Sequence, residues 1–291
     1  MAFLAARSHP HPALILLGVP YDGTSTFRAG SRHAPDAIRW SSQSIETYSP
    51  VLGASLDDVA LTDLGNVDVP DGSPEAMAAA VARSLRSVPA GAVPFVLGGE
   101  HTVTLGAVEA AAAAGGDLVV LQLDAHTDLR DSYEGLATSH ATVMRRVANA
   151  IGGDRIVQLG VRAGTAGEFA YASTALRHHS RGLDVPAPVW AWLSGRSVYV
   201  TLDIDVLDPA DAPGTGNPEP EGVSARDLLA FVRRLSQLRV VGFDLVEVSP
   251  PYDPSGRTAI LAATILREAM LAITLGQNTG IGPRASGLGT S

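Results

Sequence analysis

Six short apolar runs punctuate this chain, at 13–19, 93–97, 118–123, 156–161, 197–202 and 240–245. They show little polar alternation, so each reads as a strand buried on both faces. Helix-length patterns lie between several of them, at 73–88, 102–114, 138–151 and 224–238, and another follows at 259–275. Ser73-Pro74-Glu75 makes a good cap and first turn, and Ser224 with Asp227 three residues on is a looser capping box. Strands and helices in alternation predict an α/β fold: a three-layer αβα sandwich around a central, mainly parallel sheet. No internal repeat or linker is visible, so 1–275 reads as a single domain, and 276–291, rich in Gly, Ser and Thr, as a flexible tail. Residues 203–222 form a long Pro/Gly/Asp/Glu loop, of a length that in a compact domain usually marks function.

Open α/β sheets bind ligands outside the carboxyl ends of their strands, and four groups of reactive residues stand at those ends. After 118–123 comes Asp124-Ala125-His126-Thr127-Asp128. Extended backbone sends alternate side chains to one side, so Asp124, His126 and Asp128 can converge on one point. The alternative is two helix-capping acids around a hydrogen-bonding histidine. After 93–97 comes Gly98-Gly99-Glu100-His101-Thr102, which alone reads as a glycine turn with Thr102 as helix cap and His101 exposed. After 197–202 comes Asp203-Ile204-Asp205, two carboxylates that repel unless a cation joins them. It fits neither an EF-hand, where Asp208 would replace the required Gly, nor the Asp-x-Asp phosphotransferases, which need a later Lys. Asp244 closes the last run and Glu247 follows it.

The chain carries 21 basic residues, all Arg, so Schiff-base chemistry and the P-loop lysine are excluded. With no Cys, thiolate zinc sites, Fe–S clusters and disulfides are excluded too. A net charge of −9 argues against nucleic acid and mildly favours cationic ligands. No apolar run reads as long enough to span a bilayer, and the short run at 13–19 is not a secretory signal, so the expectation is a cytoplasmic protein without a membrane partner.

Taken together, His101, Asp124, His126, Asp128, Asp203 and Asp205 offer four carboxylates and two imidazoles, too many anions for one ion but enough for two divalent cations. Oxygen-dominated ligation without sulfur suits Mn²⁺ best, ahead of Mg²⁺, Fe²⁺ or Co²⁺, and a two-metal site activates water at neutral pH.

These motifs resemble the ureohydrolases, the family of arginase, agmatinase and their relatives. The likeness runs in order through 98–101, 124–128, 203–209 and Glu247 before Ser249-Pro250, and takes in 18–23 and the stretch from Arg28 to Arg39. It implies an arginase-like fold and hydrolysis of a guanidino group to release urea. By the resemblance, His101, Asp124, Asp128 and Asp203 would hold one Mn²⁺, and Asp124, His126, Asp203 and Asp205 the other. Glu247 would receive the substrate guanidinium, His140 would shuttle protons, and Asp128 or His140 would protonate the leaving amine. The family forms trimers and hexamers, which implies a homo-oligomer. Arg28, Arg32 and Arg39 are then read either as protomer bridges or as ordinary surface residues.

Residues 129–139 should read the far end of the substrate. Ser139-His140-Ala141-Thr142, Gly160-Val161-Arg162 and 214–220 look like agmatinase, whose substrate is a small cationic guanidino compound. Glu221 departs from a pattern that usually has Gly there, and is read as a charge near the pocket or a solvated loop residue. Guanidinobutyrase, guanidinopropionase, arginase and formimidoylglutamase are the neighbouring alternatives. An inactive, ureohydrolase-like regulatory subunit and a one-zinc, deacetylase-like amidohydrolase are the rivals from other classes. His9, His11, His33, His178 and His179 read as surface or loop residues, and Trp190 and Trp192 as packing a surface or interface.

Overall fold

A computed structural model describes residues 1–69 and 73–278. Eight strands make one sheet: β1 (Leu14–Gly18), β4 (Leu61–Asn66), β5 (Val93–Leu97), β6 (Leu118–Leu123), β7 (Ile156–Leu159), β8 (His178–Ser180), β9 (Ser197–Asp203) and β10 (Arg239–Val246). β2 (Tyr48–Ser49) and β3 (Ala54–Ser55) pair as a small hairpin apart from it. The strand order is β4-β1-β5-β10-β9-β6-β7-β8, and every neighbouring pair runs parallel. Among the described residues eight α-helices accompany the sheet: α1 (Ala34–Ser42), α2 (Pro74–Arg86), α3 (Val103–Ala113), α4 (Val143–Ile151), α5 (Ala166–Ala175), α6 (Ala187–Ser194), α7 (Ala225–Arg233) and α8 (Arg257–Asn278).

The three layers follow from strand alternation. Leu14, Leu16, Phe95, Leu97, Val119 and Leu121 pack on one face with residues of α1, α7 and α8. Ile15, Leu17, Val96, Leu118 and Val120 pack on the other with residues of α2, α3 and α4. Both sides of each central strand are therefore apolar, which is why the runs lack alternation.

Several expectations are corrected. Helix α8 runs to Asn278, so the expected tail begins no earlier than 279, and 279–291 lie outside the described residues. By length and composition α8 could cross a bilayer, with a mean hydropathy of 1.7, contrary to the reading that no run is long enough. Its apolar stretch is 72% buried against α1, α7 and the sheet, which marks a core helix. Arg39 is neither a surface residue nor exposed for a partner. It is buried, with Nε and Nη2 on the two oxygens of Asp63 (2.8 and 2.9 Å) and Nη1 on Asn66, tying α1 to β4. His178 and His179 belong to the edge strand β8 and are partly buried.

Candidate metal centre and substrate cavity

Strands β5, β10, β9 and β6 are adjacent at the middle of the sheet, and their carboxyl ends deliver His101, Glu247, Asp203 with Asp205, and Asp124 to Asp128 to one place. All six expected ligand residues come together there. His101, Asp124, Asp203 and Asp205 are almost wholly buried, Asp128 nearly so, and His126 is partly exposed.

The three residues of the Asp-x-His-x-Asp stretch do not meet at one point. They divide into two groups, His101 with Asp124 and Asp128, and Asp124 with His126 and Asp205. The extended reading fails at Asp128, whose φ of 52° is left-handed and turns its side chain toward His101. Asp124 belongs to both groups through different oxygens: Oδ2 is 3.0 Å from His101 Nδ1, while Oδ1 faces His126 Nδ1 at 3.7 Å. His126 Nδ1 lies 2.9 Å from Asp205 Oδ2. Asp203 Oδ2 is 3.5 Å from His101 Nδ1, and its Oδ1 accepts the Asp205 amide at 2.8 Å.

His101 Nδ1 is the clearest indication of what the centre accommodates. It lies 3.0 Å from Asp124 and from Asp128, yet without the alignment a hydrogen bond needs, and it is a buried polar atom with no hydrogen-bond partner. A ring nitrogen aimed among three carboxylates suits a divalent cation. The other ring nitrogen, Nε2, is 2.9 Å from Thr201 Oγ1, which donates to Asp244 at 2.6 Å. Asp244 also accepts from Tyr199 (2.8 Å) and Thr104 (3.0 Å). Sequence reading saw Asp244 only as a strand-end acid and missed Thr201. The period of two along β9 held the signal, since Thr201 points to the same side as Asp203.

Electrostatics agree with a site built for positive charge. Burial, then the charges of Asp128 and Asp205, push the Asp124 carboxyl up to about 7. Asp203 is held well above the usual range by burial and by Asp205 and Asp124. Burial opposes charge on His126, but Asp205 outweighs it and raises the pKa to about 10. Burial likewise opposes charge on His101, and Asp124 and Asp128 hold it well above normal. Asp205, facing His126, falls to about 2 despite its burial.

Glu247 is the second acid at this centre with a left-handed backbone, at φ 64°. Its Oε1 accepts the His101 amide at 2.8 Å, and burial, with the charge of Glu100, raises its pKa well above normal. Two non-glycine residues strained in this way at one centre are typical of functional positions. Gly99 is required by packing: a Cβ there would lie 1.8 Å from the Tyr21 carbonyl. Thr102 does not cap α3 with its side chain, which donates instead to Glu100.

A cavity of about 470 Å³ opens over the centre. Glu247, His101, His126, Asp128, Asp203 and Asp205 line it together with Arg130, Tyr133, His140, Glu168, Asn217 and Glu219. Arg130 and Tyr133 come from the segment expected to read the substrate, and Asn217 and Glu219 from the long loop. Arg162 ties that loop down through the carbonyls of Asp205, Val206, Leu207, Glu219 and Pro220. Glu221 has a φ of 61°, a conformation that favours Gly, and its exposed side chain pairs with Arg181 at 2.8 Å. It does not line the cavity. His140 opens the 3₁₀ turn before α4, with Tyr133 edge-on at 5.6 Å between ring centres.

The arginase-family profile matches residues 12–272. An agmatinase of Bacillus subtilis is 41% identical over 276 residues, covering 92% of this chain and 95% of that protein. An agmatinase of Halalkalibacterium halodurans is 38% identical, with 92% and 95% covered. The solved agmatine ureohydrolase of Thermoplasma volcanium superposes with a TM-score of 0.86 at 32% identity, covering 96% of each chain.

Proposed function

This chain belongs to the arginase family and is a ureohydrolase, acting on C–N bonds of guanidino compounds, and we propose that its substrate is agmatine, cleaved to putrescine and urea. The observation that carries the reading is the orphaned His101 Nδ1 among Asp124, Asp128 and Asp203, under the same cavity that Glu247 lines.

His101, Asp124, Asp128 and Asp203 would hold one divalent ion, and Asp124, His126, Asp203 and Asp205 the second. Mn²⁺ is the ion we assign, on a donor set of oxygens and imidazoles without sulfur. When bound, the pair supplies a water acidic enough to attack at neutral pH. Glu247 accepts paired N–H bonds from the guanidinium and holds its carbon facing the centre. One Glu247 oxygen is already anchored by the His101 amide, which sets the carboxylate's orientation. Asp128 and His140 stand on the cavity wall as the groups that carry the proton to the leaving amine. Glu168 and Glu219 place negative charge where a cationic tail would extend.

Arg130, on the same wall, favours one second reading, a guanidino acid whose carboxylate it would meet. Its guanidinium already lies over the Tyr133 ring at 4.7 Å and 3.6 Å from Glu168, which leaves it less free for a substrate anion. Urea release from agmatine, guanidinobutyrate and arginine by the Mn²⁺-loaded protein separates the readings: agmatine should be fastest, and a clear preference for either acid overturns the assignment. We also read the chain as a homo-oligomer, supported by the exposed rings of Phe27, Trp40 and Tyr252. Light scattering at a monomer's mass would contradict this.

A further inference from the structure

We propose that Thr24 and Glu100 are positioning residues that set the tautomer of His140, so that the neutral ring carries its proton on Nδ1 and offers Nε2 to the cavity as a free acceptor. Its consequence for catalysis rests on the reading of His140 as a proton carrier; the tautomer itself rests on hydrogen-bond geometry alone.

Three segments distant in sequence meet here. Thr24 lies on the loop after β1, Glu100 on the turn after the neighbouring strand β5, and His140 ahead of α4. The Glu100 amide donates to the Tyr21 carbonyl at 2.8 Å, which locks the first two together. Glu100 is fully buried and surrounded by donors. Its Oε2 accepts the Thr24 amide (2.8 Å) and the Ser25 hydroxyl (3.2 Å), and its Oε1 accepts the hydroxyls of Thr24 (2.5 Å) and Thr102 (2.6 Å).

A hydroxyl has one proton to give and two lone pairs to offer. The Thr24 proton is committed to Glu100. Three further groups approach its oxygen: the Thr102 hydroxyl at 3.4 Å, whose own proton is given to Glu100, the His140 backbone amide at 3.1 Å and His140 Nδ1 at 3.2 Å. The amide can only donate. Nδ1 must therefore donate as well, because a bare Nδ1 would face an oxygen with no proton left to share. The ring nitrogens lie on opposite sides of the imidazole, so with Nδ1 turned to Thr24, Nε2 is the one left for the cavity that His140 lines. The proton count then closes. The neutral ring takes a proton at Nε2 from water in the cavity, keeps Nδ1–H as an imidazolium, and returns to its starting form by giving the Nε2 proton to the leaving nitrogen, so that the hydrolytic water supplies the proton the amine leaves with.

Glu100→Gln gives the sharpest test. The Thr24 amide still needs an acceptor, so the new NH₂ must take the Oε1 place and donate to Thr24. The Thr24 hydroxyl is then released to donate to His140 Nδ1, and the tautomer reverses. The measurement is ¹⁵N NMR of histidine-labelled, metal-free protein, with the His140 signals identified by their loss in His140→Asn. In the wild type at a pH where the ring is neutral, Nδ1 should be proton-bearing and Nε2 bare. Thr24→Ser should keep this pattern, Glu100→Gln should invert it, and Thr24→Val should give a mixture. In the metal-loaded enzyme Thr24→Val should lower kcat about 10-fold or more with KM and metal content little changed, and Thr24→Ser should restore it. A wild-type ring with its proton on Nε2 overturns the proposal whatever the activity, and needs no variant to fold. A ring that inverts in Glu100→Gln while Thr24→Val keeps normal kcat upholds the tautomer assignment and overturns only the reading of His140 as proton carrier.

Discussion

Glu268 on α8 and Asp124 at the end of β6 are both fully buried carboxylates, and the chain surrounds them differently. Glu268 receives Arg233 at 2.5 Å, Arg267 at 2.7 Å and the Ser49 hydroxyl at 3.0 Å. Burial pushes its pKa up, but those three hydrogen bonds outweigh it and hold the group below the usual range. Asp63, also buried, is likewise paired with a guanidinium, that of Arg39. Among the described residues no guanidinium pairs with Asp124; it accepts from Gln122 at 2.7 Å and faces His101, His126 and two more acids, and its pKa rises to about 7. A buried acid that serves the scaffold is neutralised within the chain. Those at the strand ends keep an excess of negative charge, an arrangement that costs stability and is retained where a ligand supplies the missing cation.

The largest effect should come from removing the shared acid. Asp124→Asn should lower turnover at least about 10³-fold, as loss of a group central to the chemistry does, and elemental analysis should show less than the full metal content. If turnover and metal both stay normal, Asp124 belongs with Glu268 and the contrast collapses. Glu268→Gln should cost about 3 kcal/mol, the scale of a broken buried ion pair, seen as a lower denaturation midpoint, while metal content and turnover per folded molecule persist. Thr201→Val should weaken metal binding about 10-fold, because it removes the link that holds the His101 ring to Asp244; titration calorimetry reads it.

The smallest effect has the opposite sign. In metal-free protein, Asp124→Asn should raise stability by about 1 kcal/mol, through relief of burial and like-charge crowding. The folded carboxyl titrates at about 7 and the unfolded one near 3.8. Between those values the folded state holds a proton that the unfolded chain has released, so raising the pH favours unfolding. The variant should lose this slope. Glu268 acts in reverse: its pKa is depressed, so its contribution is present above the ordinary value of 4.5 and fades as the pH falls below it. Chemical denaturation of both variants across this range checks the two directions.

The same division explains what the sequence could reveal. The central strands are continuous apolar runs because both faces are covered, and the residues at their ends stood out for that reason. The edge strands were missed: β4 reads Leu-Thr-Asp-Leu-Gly-Asn and β8 is only His-His-Ser, each half-exposed and without an apolar run. Helix α5 was also missed, although Thr165 and Glu168 form a full capping box at its start. The six ligand-type residues were readable as a set, and the resemblance divided them between two ions; alternation along an extended strand alone did not show that division, because it depends on the left-handed turn at Asp128. Thr24 and Glu100 left no local signal, since their partnership spans 76 positions.

The central claim is that the strand-end acids are built around two divalent ions that serve guanidino hydrolysis. Metal content and urea release from agmatine, measured on one purified sample before and after chelation, test it most directly. The account predicts two ions per chain, with urea release lost on chelation and restored by Mn²⁺. A single zinc ion per chain, or urea release that persists after the metal is gone, would contradict it.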